Sequence, residues 1–267
     1  PPPPFQAEDG IRDALVGLVG SEMCIRDRSY TAMEVDGGFD DRLTPPAALA
    51  RIDAVTPDEL SLQTIGDGVY LVGGSGTYAM FVEMDEYVVA IGGTAGIPDR
   101  IAELRKKVPS KPIRYGVMTH HHSDHVLGVP AYAAEGATVV IAQAHEAVMR
   151  NAAGDAGMPE FEFVVDSHVI TDGKRRIELY DVGPTPHAEH ILLPYLPDEG
   201  IVFQADHVAT PRTGALPPAI SGHRALAEAM EKLELNVKTV AGAHSPRLLT
   251  MDEFSAALER DARVAQQ

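Results

Sequence analysis

With 267 residues, 45% hydrophobic and 23% charged, the chain has an ordinary globular composition and enough length to bury a sizeable core. A formal net charge of −17 repels phosphate backbones, so nucleic acid is not an expected partner. The single cysteine, Cys24, excludes a disulfide framework. No apolar run reaches the roughly 18 residues of a membrane span.

Residues 1–28, from the four opening prolines through Cys24 to Arg28, fit nothing that follows. They resemble translated sequencing-adapter DNA and are expected to be an artefactual, non-native extension, to be set aside from fold reasoning. Cys24 goes with them, which removes any cysteine nucleophile. The native start goes too, leaving cytoplasm and periplasm equally open. Residues 29–59 read as a lead-in, with Pro45-Pro46 and a short helix through Ile52. One domain is expected over 60–267.

From Leu60 the texture becomes strand-like: Gly68–Val72, Tyr78–Met84 and Tyr87–Ile91, separated by Gly and Asp-Glu turns. An amphipathic helix is expected over Ile97–Val108, with Ile101 and Leu104 inward. Strand Ile113–Met118, helix Val126–Ala134, strand Thr138–Ala142 and helix Ala144–Asn151 follow. A second strand-rich block runs from Phe161 to Gln204, then helix His223–Leu233, strand Val237–Ala241 and helix Met251–Arg263. The basic runs Arg105–Lys107 and Lys174–Arg176 read as solvated faces.

The chemistry concentrates between Ile113–Met118 and the next helix, where His120, His122, Asp124 and His125 make an H-x-H-x-D-H array. Imidazole nitrogens and a carboxylate oxygen are the donors that zinc prefers. On a strand-to-helix loop they can fan out around two neighbouring ions, His120 and His122 toward one, Asp124 and His125 toward the other.

This loop resembles the signature of the metallo-β-lactamase superfamily, and the segment Lys111–His125 is similar to bacterial hydrolases of that fold. The resemblance runs from about Thr64 to Leu258. It implies an α/β (α+β) four-layer αββα sandwich with the site at one edge. It also implies His187, in Asp181-Val-Gly-Pro-Thr-Pro-His187, as third ligand of the first ion, with His190 as its rival. Asp206 would bridge the ions and His244 would complete the second. His207 reads as a supporting or surface group, as do His121, His145, His168 and His223.

The function implied is hydrolysis of a small-molecule ester, thioester, lactone or amide by a metal-bound hydroxide. Two Zn²⁺ per chain are expected, with iron or manganese as alternatives; Asp124 and Asp206 would orient the water and relay its proton. Glutathione thioesterases of the family carry a helical region beyond the last histidine, and little chain follows His244. Its β-lactamases usually carry Cys or Ser at the Asp206 position. A mononuclear iron oxidoreductase of the persulfide dioxygenase type and a non-catalytic metal-binding protein are the rival readings. Two departures stand out: Gly92 where the family commonly has an Asp that braces the metal loop, and Leu127 where it often has glycine. Oligomeric state is not legible.

Deleting residues 1–28 should leave melting temperature and metal content unchanged. A marked fall in melting temperature would show that the segment is genuine protein.

Overall fold

Strands that are apolar on both faces must be covered on both faces, and several here are buried end to end, including Val69–Gly74, Val88–Ile91, Leu192–Leu196 and Ile201–Gln204. The computed structural model describes residues 60–154 and 157–264, so the expected extension 1–28 and the lead-in 29–59 lie outside the described residues. The first sheet holds β1 (Ser61–Gly66), β2 (Val69–Gly74), β3 (Thr77–Glu83), β4 (Val88–Ile91), β5 (Ile113–Val117), β6 (Thr138–Ala142) and β7 (Phe161–Val164), in chain order. It is antiparallel through β4 and parallel from β4 to β7. Helices α1 (Ile97–Arg105), α2 (Val129–Ala134) and α3 (Glu146–Ala153) make or follow its crossovers.

The second sheet holds β8 (Ser167–Thr171), β9 (Arg176–Asp181), β10 (Leu192–Leu196), β11 (Ile201–Gln204), β12 (Thr239–Gly242) and β13 (Leu249–Thr250), again in chain order. Only β11 and β12 run parallel, and α4 (Ser221–Lys232) connects them; α5 (Met251–Val264) follows β13.

Alternation along the strands builds three apolar layers. Between the sheets, Leu71, Met80, Val89 and Val117 meet Ile177, Leu179, Leu192 and Phe203. Outside the first sheet, Tyr70, Phe81 and Val139 pack under Ile101, Leu104 and Tyr132. Outside the second, Val202 and Val240 pack under Leu226, Met230 and Phe254. This is the expected αββα sandwich. No helix among the described residues is long and apolar enough to cross a membrane.

Local differences from the expected elements have local causes. Helix α2 starts at Val129 rather than Val126, because the Gly128 N–H is held by Gly93 O at 2.8 Å and the preceding residues belong to the loop. Arg175 is not a solvated strand end: its guanidinium reaches Glu83 O at 2.7 Å, Asp67 O at 2.5 Å and Glu199 at 3.1 Å, tying together turns of both sheets.

The strand-to-loop exit after β4 places the site. Gly92 has φ of 106°, in the region that favours glycine, and its carbonyl accepts the buried Tyr132 hydroxyl. At Gly93 a Cβ would collide with the His125 carbonyl and the Met118 methyl, so the array can fold down onto β4 only over a bare backbone. Gly93→Ala should therefore lower stability by about 1–3 kcal/mol, the usual cost of overpacking a filled interior. Urea unfolding would measure it, and a wild-type midpoint would contradict the close approach.

Candidate metal centre

Four loops meet at one rim of the sandwich, each leaving the carboxyl end of a strand. Residues 118–128 follow β5, 182–191 follow β9, Asp206 follows β11 and His244 follows β12. They bring all seven expected donors together. His120, His122, His187 and Asp206 offer ligand atoms within 4.8 Å of one another, and so do Asp124, His125 and His244. The ring of His187, not that of His190, joins the cluster: His187 Nε2 lies 2.9 Å from His120 Nε2, whereas His190 Nδ1 turns away to Asp181 at 2.6 Å.

Asp206 is the centre of the geometry. Its side chain is 1% exposed, and Oδ2 lies 3.1, 2.9 and 3.0 Å from Nε2 of His120, His125 and His187. His244 Nε2 is 3.0 Å from Oδ1 and 3.2 Å from His125 Nε2. None of the four carboxylate contacts has hydrogen-bond direction, so both oxygens are buried without a hydrogen-bonding partner. A buried carboxylate in that condition is costly. Imidazole nitrogens that crowd a carboxylate without pointing at it share a target with it instead. Donors to one tetrahedral zinc, each about 2.0–2.1 Å from the ion, sit at about these mutual separations. The donor set therefore fits divalent ions.

Electrostatics say the same. Burial opposes charge on Asp206, yet the surrounding imidazoles hold its carboxyl far below the usual range. Burial also opposes charge on His244, but Asp124 and Asp206 push it up to about 10. His125 is likewise raised against burial by the same two carboxylates. Asp124, half exposed at the mouth, is lowered by His125 and then His244. The carboxylates draw positive charge to this place, protons on the imidazoles without metal or metal cations in their stead.

Orientation comes from the layer behind. His244 Nδ1 lies 3.3 Å from Gly76 O in the β2–β3 hairpin; a carbonyl only accepts, so Nδ1 carries a hydrogen and Nε2 is the nitrogen that faces the cluster. His120 Nδ1 is 3.3 Å from the Thr119 hydroxyl. Among the remaining histidines, His145 is buried with Nε2 3.1 Å from His121 Nδ1, His223 is buried against Phe254, and His168 pairs with Glu162. His207 is buried beside Asp206 rather than at the surface. Sequence reading missed Tyr132, Gly93, Gln204 and Ser245, which hold the loops; none has a metal-donor type or spacing that would have flagged it.

The sequence matches the family profile described as the Metallo-beta-lactamase superfamily over residues 53–244. Among solved structures, a metallo-beta-lactamase from Pontibacter korlensis is 19% identical, with a TM-score of 0.59 over 78% of this chain and 100% of that one. The metallo-beta-lactamase FIM-1 from Pseudomonas aeruginosa, in its mono-zinc form, is 19% identical with a TM-score of 0.57 over 77% and 96%. At that identity the likeness is one of fold.

The buried groups predict a pH optimum for stability of the metal-stripped protein. Burial first, then neighbouring imidazoles, pushes His120 down to about 3 and His145 and His207 down to about 4. An unfolded imidazole takes its proton near 6.5, so stability should fall as pH drops from there toward 4. His244 has the opposite sign: its contribution is complete below about 6.5 and is lost as pH rises toward 10. Melting temperature after chelation should peak between these arms; a profile rising steadily to pH 10 would contradict the assigned environments.

Proposed function

The chain belongs to the metallo-beta-lactamase superfamily and is a metal-dependent hydrolase; on that premise we propose that it holds two zinc ions and hydrolyses a small-molecule ester, thioester, lactone or amide. His120, His122 and His187 would hold the first ion, Asp124, His125 and His244 the second, and Asp206 both. The observation that carries this reading is the Asp206 carboxylate, 1% exposed and approached by four imidazoles that lack hydrogen-bond direction toward it. Bound there, metal ions supply a water of lowered pKa and polarise the oxygen that gains charge.

The protein's own groups do the rest. Asp206 fixes the spacing of the two triads from below, where water is excluded. Gly76 O and the Thr119 hydroxyl keep the His244 and His120 rings turned inward. Asp124, with 54% of its side chain exposed and Oδ2 3.3 Å from His125 Nε2, lies at the mouth; with Oδ2 toward the ion, its other oxygen would orient the reacting water and relay its proton toward the leaving group. Three protein donors and a shared carboxylate make four per ion, so a reacting water would take a fifth position, an expansion that catalytic zinc sites use. A single-ion oxidoreductase would leave Asp124, His125 and His244 without a role, although they form a complete second triad.

Asp124→Ala and Asp206→Ala should keep near-wild-type circular dichroism, bind less metal and lose about 10²-fold or more in turnover. Substrates for the assay are an ester, lactone and β-lactam panel, with bound metal quantified. Unchanged hydrolysis in both variants would rule out the two-ion mechanism.

A further inference from the structure

Gln204, the last residue of β11, has 1% of its surface exposed. Both ends of its side-chain amide are engaged by the backbone just beyond it. Oε1 accepts the N–H groups of His207 and Val208 at 3.0 and 3.1 Å, and Nε2 donates to Val208 O at 2.6 Å. These bonds clamp an unusual turn. The His207 N–H also reaches Ala205 O at 2.9 Å, and Asp206 between them has φ of 65°, a strained left-handed conformation for a residue with a side chain.

The same residue faces the strand that carries His244. Gln204 O accepts the Ala243 N–H at 3.0 Å, one residue before that histidine. The Ser245 hydroxyl, one residue after it, donates to Val208 O at 3.3 Å, the carbonyl that also takes Gln204 Nε2. Gly242 is the register partner of Gln204, and a Cβ there would collide with Nε2 of the amide. The glycine thus makes room for the glutamine.

We infer that Gln204 is a positioning residue that sets the placement of Asp206 against His244, and so controls how tightly the site holds the ion these two residues share. A buried amide serving only the fold would stabilise the protein with or without metal. One that holds a strained turn in place for binding must also show in metal affinity. The inference rests on the proposed metal site, and the test separates the two.

The experiment measures zinc affinity of the full chain by competition with a chromophoric chelator, alongside the melting temperature of the metal-stripped protein. Gln204→Met keeps the volume but removes all three bonds; zinc should bind about 10- to 100-fold more weakly. Gln204→Glu keeps an acceptor for both N–H groups but loses the donor to Val208 O, and should recover part of that loss. Gly242→Ala leaves the amide but displaces it together with the Ser245 hydroxyl that meets it at Val208 O, and should weaken zinc even if Gln204→Met does not fold. Wild-type protein that fails to bind zinc would refute the metal site itself. Wild-type protein that binds, with Gln204→Met and Gly242→Ala binding equally well whatever their melting temperatures, would overturn the role of Gln204. So would a Gln204→Glu variant that binds as weakly as Gln204→Met.

Discussion

The architecture around the site turns on one cost: a carboxylate, Asp206, placed almost out of reach of water among imidazoles that are themselves largely buried. Each of those groups prefers water when alone. Without metal, attraction to the carboxylates drives two of the rings toward the charged form against burial, while His120 is driven to neutrality, so protons stand where cations could. Divalent cations would relieve this arrangement and neutral side chains would not. The proposed hydrolase chemistry uses the same need, because the cations that would answer it also stabilise an oxygen gaining negative charge.

Holding such a cluster together requires a frame that does not depend on it. The three apolar layers provide one. Phe203, three residues before Asp206, is buried between the sheets, and Val117 and Met118 anchor the start of the histidine loop. Donors therefore sit on short exits from rigid strands, which keeps them within the narrow tolerances metal coordination demands. The absence of a carboxylate at Gly92 is compatible with this frame. Gly92 O takes the Tyr132 hydroxyl, and Gly93 lets the His125 backbone lie directly on the strand exit. Bracing comes from helix α2 and from glycine backbone instead of an acid.

Much of this was legible in the sequence because its signals are local. His120, His122, Asp124 and His125 lie within six positions, and the alternation of strands and helices marked both sheets and the helices that cover them. His187, Asp206 and His244 stand far apart in sequence and became legible through family resemblance and order. What stayed hidden depends on contacts that spacing does not encode. Gln204 looks like any strand-end polar residue until its amide is seen to bond backbone groups three and four positions on. Gly93 is necessary because of a carbonyl 32 residues away. Arg175 read as solvated because nothing local shows that turns of both sheets converge on it. The two-residue strand β13 is too short to leave a period.

The most direct test of the account is anomalous diffraction at the zinc edge from crystals grown with zinc. Two peaks about 3.5–4 Å apart are predicted, with the Asp206 carboxylate between them, His120, His122 and His187 around one, and Asp124, His125 and His244 around the other. A single peak, or two peaks that leave Asp206 unligated, would contradict it.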